Sequence, residues 1–379
     1  MSRRSERTDE SDAGRDDRAD VGATGGDETL VLSVSDLVTR FDTETGTVKA
    51  VDGVSFDLHD GEMLGIVGES GSGKSVTALS ILGLVESPGR IERGTVSYRG
   101  EDLLENSETE MRDVRGNDVA MVFQDPMSSL NPVFTVGTQI SRVVREHTDL
   151  SETEARTRTI ELMDDVGIPD AESRVTDYPH QFSGGMRQRA LLAMAISCDP
   201  DVLIADEPTT ALDVTIEAQI FEVLDDLQAK YGMSVVLITH DLGVVAGTCD
   251  RVAVAYAGRI VERATVDELF ENPRHPYTRG LMRSIPRLRA DADRLTPIEG
   301  TVPDLTALPS GCSFHPRCPH ATTACAQYDP EMREVAPGRE AACLHARGYG
   351  AVDRDRDRDH DPAASGDPSD VAADGGDDS

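Results

Sequence analysis

The chain has 379 residues, with 70 Asp and Glu against 37 Lys and Arg, a formal net charge of −33. That length suggests roughly two to three domains, and 38% apolar residues suffice for a sizeable core. The charge argues against nucleic acid as a partner, because duplex binding is driven by phosphate neutralisation, and residues 29–350 alone hold 51 acids against 29 Lys and Arg.

Only Lys49, Lys74 and Lys230 are lysines; every other cation is Arg. An acidic, Lys-poor surface reads as a solvation adaptation to a salt-rich, haloarchaeal-type cytosol. No segment reaches the ~20 apolar residues that a bilayer crossing needs, and the longest apolar run, Ala190–Cys198, is too short. Arg3, Arg4 and Arg7 are not followed by an apolar stretch, so no signal peptide is expected. The composition therefore points to a cytoplasmic protein whose contact with a membrane runs through partners.

In chain order, residues 1–28 read as a disordered acidic tail, and so do residues 351–379. Between them the pattern is α/β. Apolar runs with β-branched residues predict strands at 30–34, 50–56, 63–67, 119–123, 201–205 and 233–238. Helical periodicity covers 74–84, 135–147, 151–166, 186–197 and 214–230. In the last of these, Ile216, Ile220, Leu224 and Leu227 share one face. "YAGRI" (Tyr256–Ile260) reads as a hairpin turn between two late strands. From 273 onward Pro and Cys increase and periodicity fades, which predicts a separate C-terminal module.

Residues Gly68–Ser75, "GESGSGKS", match G-x-x-x-x-G-K-[ST] between a buried strand and a helix, the context that the phosphate-binding motif requires. Gly71 and Gly73 let backbone N–H groups turn toward phosphate oxygens, and the helix N-terminus adds its positive end. Ser75 offers a hydroxyl to Mg²⁺. Lys74 reaches the β- and γ-phosphates as a compact charge on a flexible stem, a place where a planar guanidinium does not fit. The second signal is "DVLIADEP" (Asp201–Pro208). A buried strand ends in Asp206, placed to hold Mg²⁺, and Glu207, placed to polarise the attacking water.

"FSGGMRQR" (Phe182–Arg189) then resembles the ABC-transporter signature, with Ser183 lying 23 residues before Asp206. "VFQDP" resembles the Q-loop, "TALD" the D-loop and "LITHD" the switch, with Gln124, Asp213 and His240 respectively. The resemblance implies an ABC-type P-loop NTPase: an α/β, RecA-like core with an antiparallel β subdomain and a helical subdomain at about 126–197. The ATPase domain spans 29–268, and a small Cys-rich module spans 269–350. It implies that Phe41 stacks on adenine and that Gly68, Glu69, Ser70, Gly71, Ser72, Gly73, Lys74, Ser75 and Val76 bind ATP. Ser75, Gln124 and Asp206 are the implied Mg²⁺ ligands, and Lys74, Gln124, Glu207 and His240 the implied catalytic set. Ser183, Gly184, Gly185 and Met186 are expected to act in trans, on ATP held by a second, head-to-tail subunit. Outside this series His240 would read as a structural residue at a strand end.

"FSGGM", with Phe182 and Met186, and "NPRHPYTRGLM" (Asn272–Met282) resemble the D-type ATPases of oligopeptide and dipeptide importers. This implies a heterodimer with a paralogous F-type ATPase, two membrane permeases and an external solute-binding protein, at the cytoplasmic face of the membrane. Nickel importers of the same group are similar, so nickel remains an alternative solute. A soluble ABC ATPase acting on DNA or ribosomes is a further alternative, against which stand a single cassette, the lack of a heptad run and the acidic surface.

Cys312, Cys318, Cys325 and Cys343 cluster within a short stretch. A reducing cytosol favours metal over disulfide. The gaps are not the close pairs usual for zinc, whereas four thiolates on a loop-rich segment suit a [4Fe–4S] cluster. Zinc, free thiols or a disulfide remain open from spacing alone, with His315, His320 and His345 as alternative ligands; the D-type resemblance implies the cluster. Cys198 and Cys249 read as core or surface thiols.

Overall fold

Three runs are apolar or β-branched almost throughout, and every residue in them is buried: Met63–Val67, Val202–Asp206 and Ser234–Thr239. Runs without alternating polar positions fit the middle of a parallel sheet covered on both faces. A computed structural model describes residues 29–124, 129–210, 212–284 and 297–346. The two tails expected to be disordered lie outside the described residues.

In chain order the strands are β1 (Leu30–Thr43), β2 (Gly46–His59), β3 (Met63–Val67), β4 (Gly89–Tyr98), β5 (Glu101–Asp102), β6 (Val119–Val122), β7 (Val202–Asp206), β8 (Ser234–Thr239), β9 (Arg251–Tyr256), β10 (Arg259–Thr265), β11 (Arg333–Ala336) and β12 (Arg339–Ala341). Among the described residues they form two sheets. One is antiparallel, in the order β2-β1-β4-β5, and the other runs β11-β12-β10-β9-β3-β8-β7-β6. In the larger sheet β9, β3, β8, β7 and β6 are parallel. Their carboxyl ends therefore share one edge, where open α/β sheets bind ligands. The phosphate-loop motif follows β3, Gln124 follows β6, Glu207 follows β7 and His240 follows β8.

The expected hairpin at 256–260 is present: Tyr256 pairs with Arg259 across a two-residue turn. Ala257 and Gly258 both have positive φ, as the tight hairpin turn matching strand twist requires.

The helix Val136–His147 packs against Glu152–Asp165, and both pack against Gly184–Ala195. Ser151 starts the middle one with a capping box, accepting from Glu154 N while the Glu154 carboxylate accepts from Ser151 N. Ile140, Leu162, Leu192 and Phe221 bury these helices against one face of the parallel sheet. On the other face Leu32, Phe56, Ile66, Ile81 and Val96 join the antiparallel sheet to the helix Lys74–Ile81. Of the predicted face on Val214–Tyr231, Ile220, Leu224 and Leu227 are buried and Ile216 is partly so.

Strand β4 was not expected. Val96 is its one fully buried position, so it carries no apolar run. Pairing with β1, from Leu32 opposite Tyr98 to Phe41 opposite Gly89, defines it instead. β1 and β2 likewise run well beyond the apolar segments that predicted them.

The C-terminal segment is joined to the core rather than set apart from it. β12 pairs with β10, so β11 and β12 extend the central sheet. Phe314 and Tyr277 share a cluster with Val67, Tyr256 and Val261. A short Cys-rich segment has too little apolar surface to close a core alone, and it buries what it has against the sheet edge.

Candidate functional site: a phosphate-loop pocket at the carboxyl edge of the sheet

The loop after β3 bends into the helix Lys74–Ile81 at Gly73, which has φ +97°. A Cβ there would run into the carbonyl oxygen of Ala50 on β2. Only glycine combines that left-handed backbone with so close an approach. The Lys74 ammonium is folded back over the loop, donating to the carbonyls of Gly68 (2.8 Å) and Glu69 (3.2 Å). It is 6% exposed. Burial pushes its pKa down, while Glu207, Asp206 and Glu69 pull it back up. This cation is desolvated, so water screens its charge little, while the nearby carboxylates offset part of its pull on an incoming polyphosphate.

At the next position Ser75 Oγ donates to Asp206 Oδ1 at 3.1 Å. Asp206 is 4% exposed. Burial raises its pKa, and the Ser75 hydrogen bond opposes that rise. A hydroxyl and a carboxylate side by side are the hard oxygen donors that Mg²⁺ takes when it bridges protein and phosphate.

Glu207 takes φ +44°, a backbone conformation that costs a non-glycine residue energy. Several partners hold it there. Its N–H donates to Ile238 O on β8. Its carboxylate accepts from Gln124 Nε2 (2.8 Å) and Thr210 Oγ1 (3.0 Å) and lies 3.7 Å from His240 Nδ1. The His240 side chain is 68% exposed, so this ring faces the open side of the pocket. The carboxyl ends of four parallel strands thus bring together Lys74, Ser75, Gln124, Asp206, Glu207 and His240. Thr210 went unrecognised in the sequence; its signal was a hydroxyl three residues after the acidic pair.

Other expected residues lie elsewhere. Ser183 is exposed and caps its helix, its Oγ accepting from Met186 N at 3.3 Å. Gly184 and Gly185 sit against Leu212 and Ile216, where a Cβ at Gly185 would collide with the Ile216 side chain. The signature therefore presents a helix N-terminus outward and does not join the cluster around Lys74. Asp213 caps the helix Val214–Tyr231, accepting from Thr215 N and Ile216 N, both at 3.1 Å. Phe41 is half-buried on β1, its ring against Gly89, and is not part of the hydrogen-bonded cluster.

The four clustered cysteines line one small cavity together with His315, His320 and His345. None of the six cysteines is paired in a disulfide. Burial pushes Cys312 up to about 11, and the neighbouring thiols reinforce the rise. Cys318 and Cys343 are raised for the same leading reason. Among the described residues, however, no three His, Cys, Asp or Glu side chains are grouped closely enough to hold a metal ion. The expected ligand set shares a cavity, but its side chains are not drawn together there.

Two residues that sequence reasoning did not assign reach the phosphate loop from the C-terminal segment. Tyr277 Oη accepts from Glu69 N at 2.9 Å. Arg317 grips the Glu69 carboxylate through both terminal nitrogens, at 2.7 and 3.0 Å. The "HPY" stretch explains how Tyr277 arrives there. His275 accepts from Tyr277 N and caps the helix Pro276–Arg283, with Pro276 in its first turn. Glu262 on β10 anchors the turn by accepting from Arg274 N and His275 N.

Residues 51–210 match the ABC transporter family, and residues 261–325 match the oligopeptide/dipeptide transporter C-terminal region. The chain is 54% identical over 316 residues to a probable peptide ABC transporter ATP-binding protein, y4tR, of Sinorhizobium fredii, covering 83% of this chain and 94% of that one. It is 49% identical to the dipeptide transport ATP-binding protein DppD of Escherichia coli, covering 83% and 96%. Among solved structures, the dimeric bacterial ABC transporter cassette MJ0796 is similar, with a TM-score of 0.56 and 25% identity over 62% of this chain and 98% of that one. No helix among the described residues is long and apolar enough to cross a membrane. The chain belongs to the ABC transporter ATP-binding proteins, in the group that carries the oligopeptide/dipeptide transporter C-terminal region.

Proposed function

We propose that this chain is the ATP-binding and ATP-hydrolysing subunit of an ABC importer that takes up di- or oligopeptides. It works at the cytoplasmic face of the membrane, with two permeases, an external solute-binding protein and a second ATPase. The observation that carries the reading is the convergence of Lys74, Ser75, Asp206, Glu207, Gln124 and His240 at one sheet edge. Lys74 and the loop N–H groups bind the β- and γ-phosphates. Ser75, Asp206 and Gln124 hold Mg²⁺, which neutralises phosphate charge when bound. Glu207, oriented by Gln124 and Thr210, polarises the water that attacks the γ-phosphate, and His240 closes the open side.

One subunit contacts only one side of that phosphate. The outward helix N-terminus at Ser183–Met186 supplies donors for the other side, to ATP held by the partner. Hydrolysis removes the bridging phosphate and weakens the pair, and that change drives the permeases. We propose a paralogous F-type subunit as this partner, residues 29–268 as the ATPase domain with its helical subdomain at about 126–197, and 269–350 as a C-terminal segment docked on that domain's sheet. The net charge of −33 and the three lysines support a halophilic setting.

The finer proposal for Cys312, Cys318, Cys325 and Cys343 is a [4Fe–4S] cluster. Its support is a shared cavity and an all-thiol donor set. Iron analysis and visible charge-transfer absorbance after anaerobic purification test it; an iron-free protein with four titratable thiols removes it. For the transport reading, a Glu207→Gln variant mixed with its partner ATPase and ATP should form a stable, nucleotide-dependent dimer, and the reconstituted complex should import labelled peptides. A pair that stays dissociated, or a complex that moves no peptide, overturns it.

A further inference from the structure

Every polar group of Glu69, the second residue of the phosphate-loop motif, is held. Its carbonyl accepts from Lys74 Nζ, its N–H donates to Tyr277 Oη, and its carboxylate is gripped by Arg317. Two of these three partners come from beyond residue 270, more than 200 positions away in the chain. The Arg317 side chain is 5% exposed. Its Nε donates to Glu299 O at 3.1 Å, and its guanidinium lies over the rings of Tyr256 and Phe314 at 5.8 and 5.9 Å. These contacts orient the planar fork toward the Glu69 carboxylate.

The electrostatics give this contact a purpose. Glu69 places a carboxylate in the loop that must receive a polyphosphate, and it is near enough to act on Lys74. Unpaired, that carboxylate would repel the ligand and draw the Lys74 ammonium toward itself. We propose that Arg317, assisted by Tyr277, is a positioning residue of the nucleotide site. It neutralises Glu69 and holds that residue's carbonyl where Lys74 is aimed at the phosphates, so the C-terminal segment is a structural part of the ATP pocket. The inference rests on the nucleotide reading of the loop given above.

The test is a charge-removal cycle in the full-length chain, read as the Kd of a fluorescent ATP analogue, with KM and kcat for ATP measured in the assembled transporter. Arg317→Gln leaves Glu69 uncompensated and should raise Kd and KM about tenfold, while kcat stays within about twofold. Removing the repelling charge as well, in Arg317→Gln with Glu69→Gln, should bring Kd back to within about threefold of the parent. Arg317→Lys keeps the charge, loses the fork and should fall between; it also serves if the Gln variant does not fold.

A melting temperature that falls while Kd and KM do not move overturns the proposal and leaves Arg317 a stabilising residue only. So does a double variant as weak as Arg317→Gln alone, since rescue by deleting the second charge is what a merely structural role lacks. Lys74→Ala separates the two levels of inference. If it abolishes ATP binding while Arg317→Gln leaves Kd unchanged, only the present proposal fails; if Lys74→Ala still binds ATP, the nucleotide reading fails and this proposal with it.

Discussion

The phosphate loop and the cysteine segment are neighbours in space built on opposite principles. The eight-residue motif runs from the end of a fully buried strand into the first two residues of a helix. Its geometry follows from two left-handed glycines, Gly71 and Gly73, and from the backbone groups they turn inward. The cysteine segment has little regular structure. Its shape comes from contacts made elsewhere: Arg317 on Glu69, Phe314 in the aromatic cluster with Tyr256 and Tyr277, and β12 on β10. A short contiguous motif carries its chemistry with it, whereas a loop-rich segment takes its form from what it docks on.

The largest expected effects lie in the loop. Lys74→Ala should abolish ATP binding, and Glu207→Gln should slow hydrolysis by about 10²–10⁴-fold while ATP binding is retained; equilibrium binding beside single-turnover hydrolysis measures both. If Glu207→Gln loses binding and hydrolysis equally, the division of labour drawn across the loop breaks.

The next effect is structural and belongs to the other region. Phe314 is 2% exposed and edge-on to Tyr256 at 5.2 Å. Phe314→Ala should cost about 3–5 kcal/mol, read by denaturant titration. Nucleotide affinity should fall with it, because the lost ring also supports Arg317. An unchanged Kd would show that the two regions are merely adjacent.

Acid should act on the C-terminal side. Burial pushes His275 down to about 3 from an ordinary 6.5, since the folded state cannot hydrate the imidazolium. The folded pKa is therefore below the unfolded one. The neutral ring stabilises the fold above pH 6.5, and this contribution is lost as pH falls from there toward about 3. In that window the unfolded chain binds the extra proton, with a slope of about 1.4 kcal/mol per pH unit at most. A His275→Gln variant should show a flatter acid limb in stability-versus-pH measurements; an unaltered slope would mean that the ring is not held neutral.

The smallest effect lies outside both regions. Ser151→Ala removes a helix cap in the helical subdomain and should cost about 1 kcal/mol, with ATP affinity unchanged. A shift in affinity would mean that the helical layer, too, shapes the pocket.

The sequence was most legible where a local rule decides the structure. The buried runs 63–67, 202–206 and 234–239, the P-loop flanks and the acidic pair after β7 were all readable from adjacent residues. β4 was not, because an exposed strand defined by pairing with β1 has no apolar signature. The C-terminal segment looked detached because fading periodicity resembles a domain boundary, although it can equally mark chain that docks on an existing sheet.

From the sequence alone came the phosphate-binding turn, its Lys and hydroxyl, and the order of acids and amide along the chain. These follow from φ limits, burial and side-chain chemistry within a few residues. Only the tertiary structure decided that Gln124, Thr210 and His240 meet at Glu207, that Ser183 caps its own helix instead of joining them, and that Arg317 closes on Glu69. Those outcomes depend on which strand ends share an edge and which distant charges must be paired when water is excluded. No nearest-neighbour rule encodes either condition.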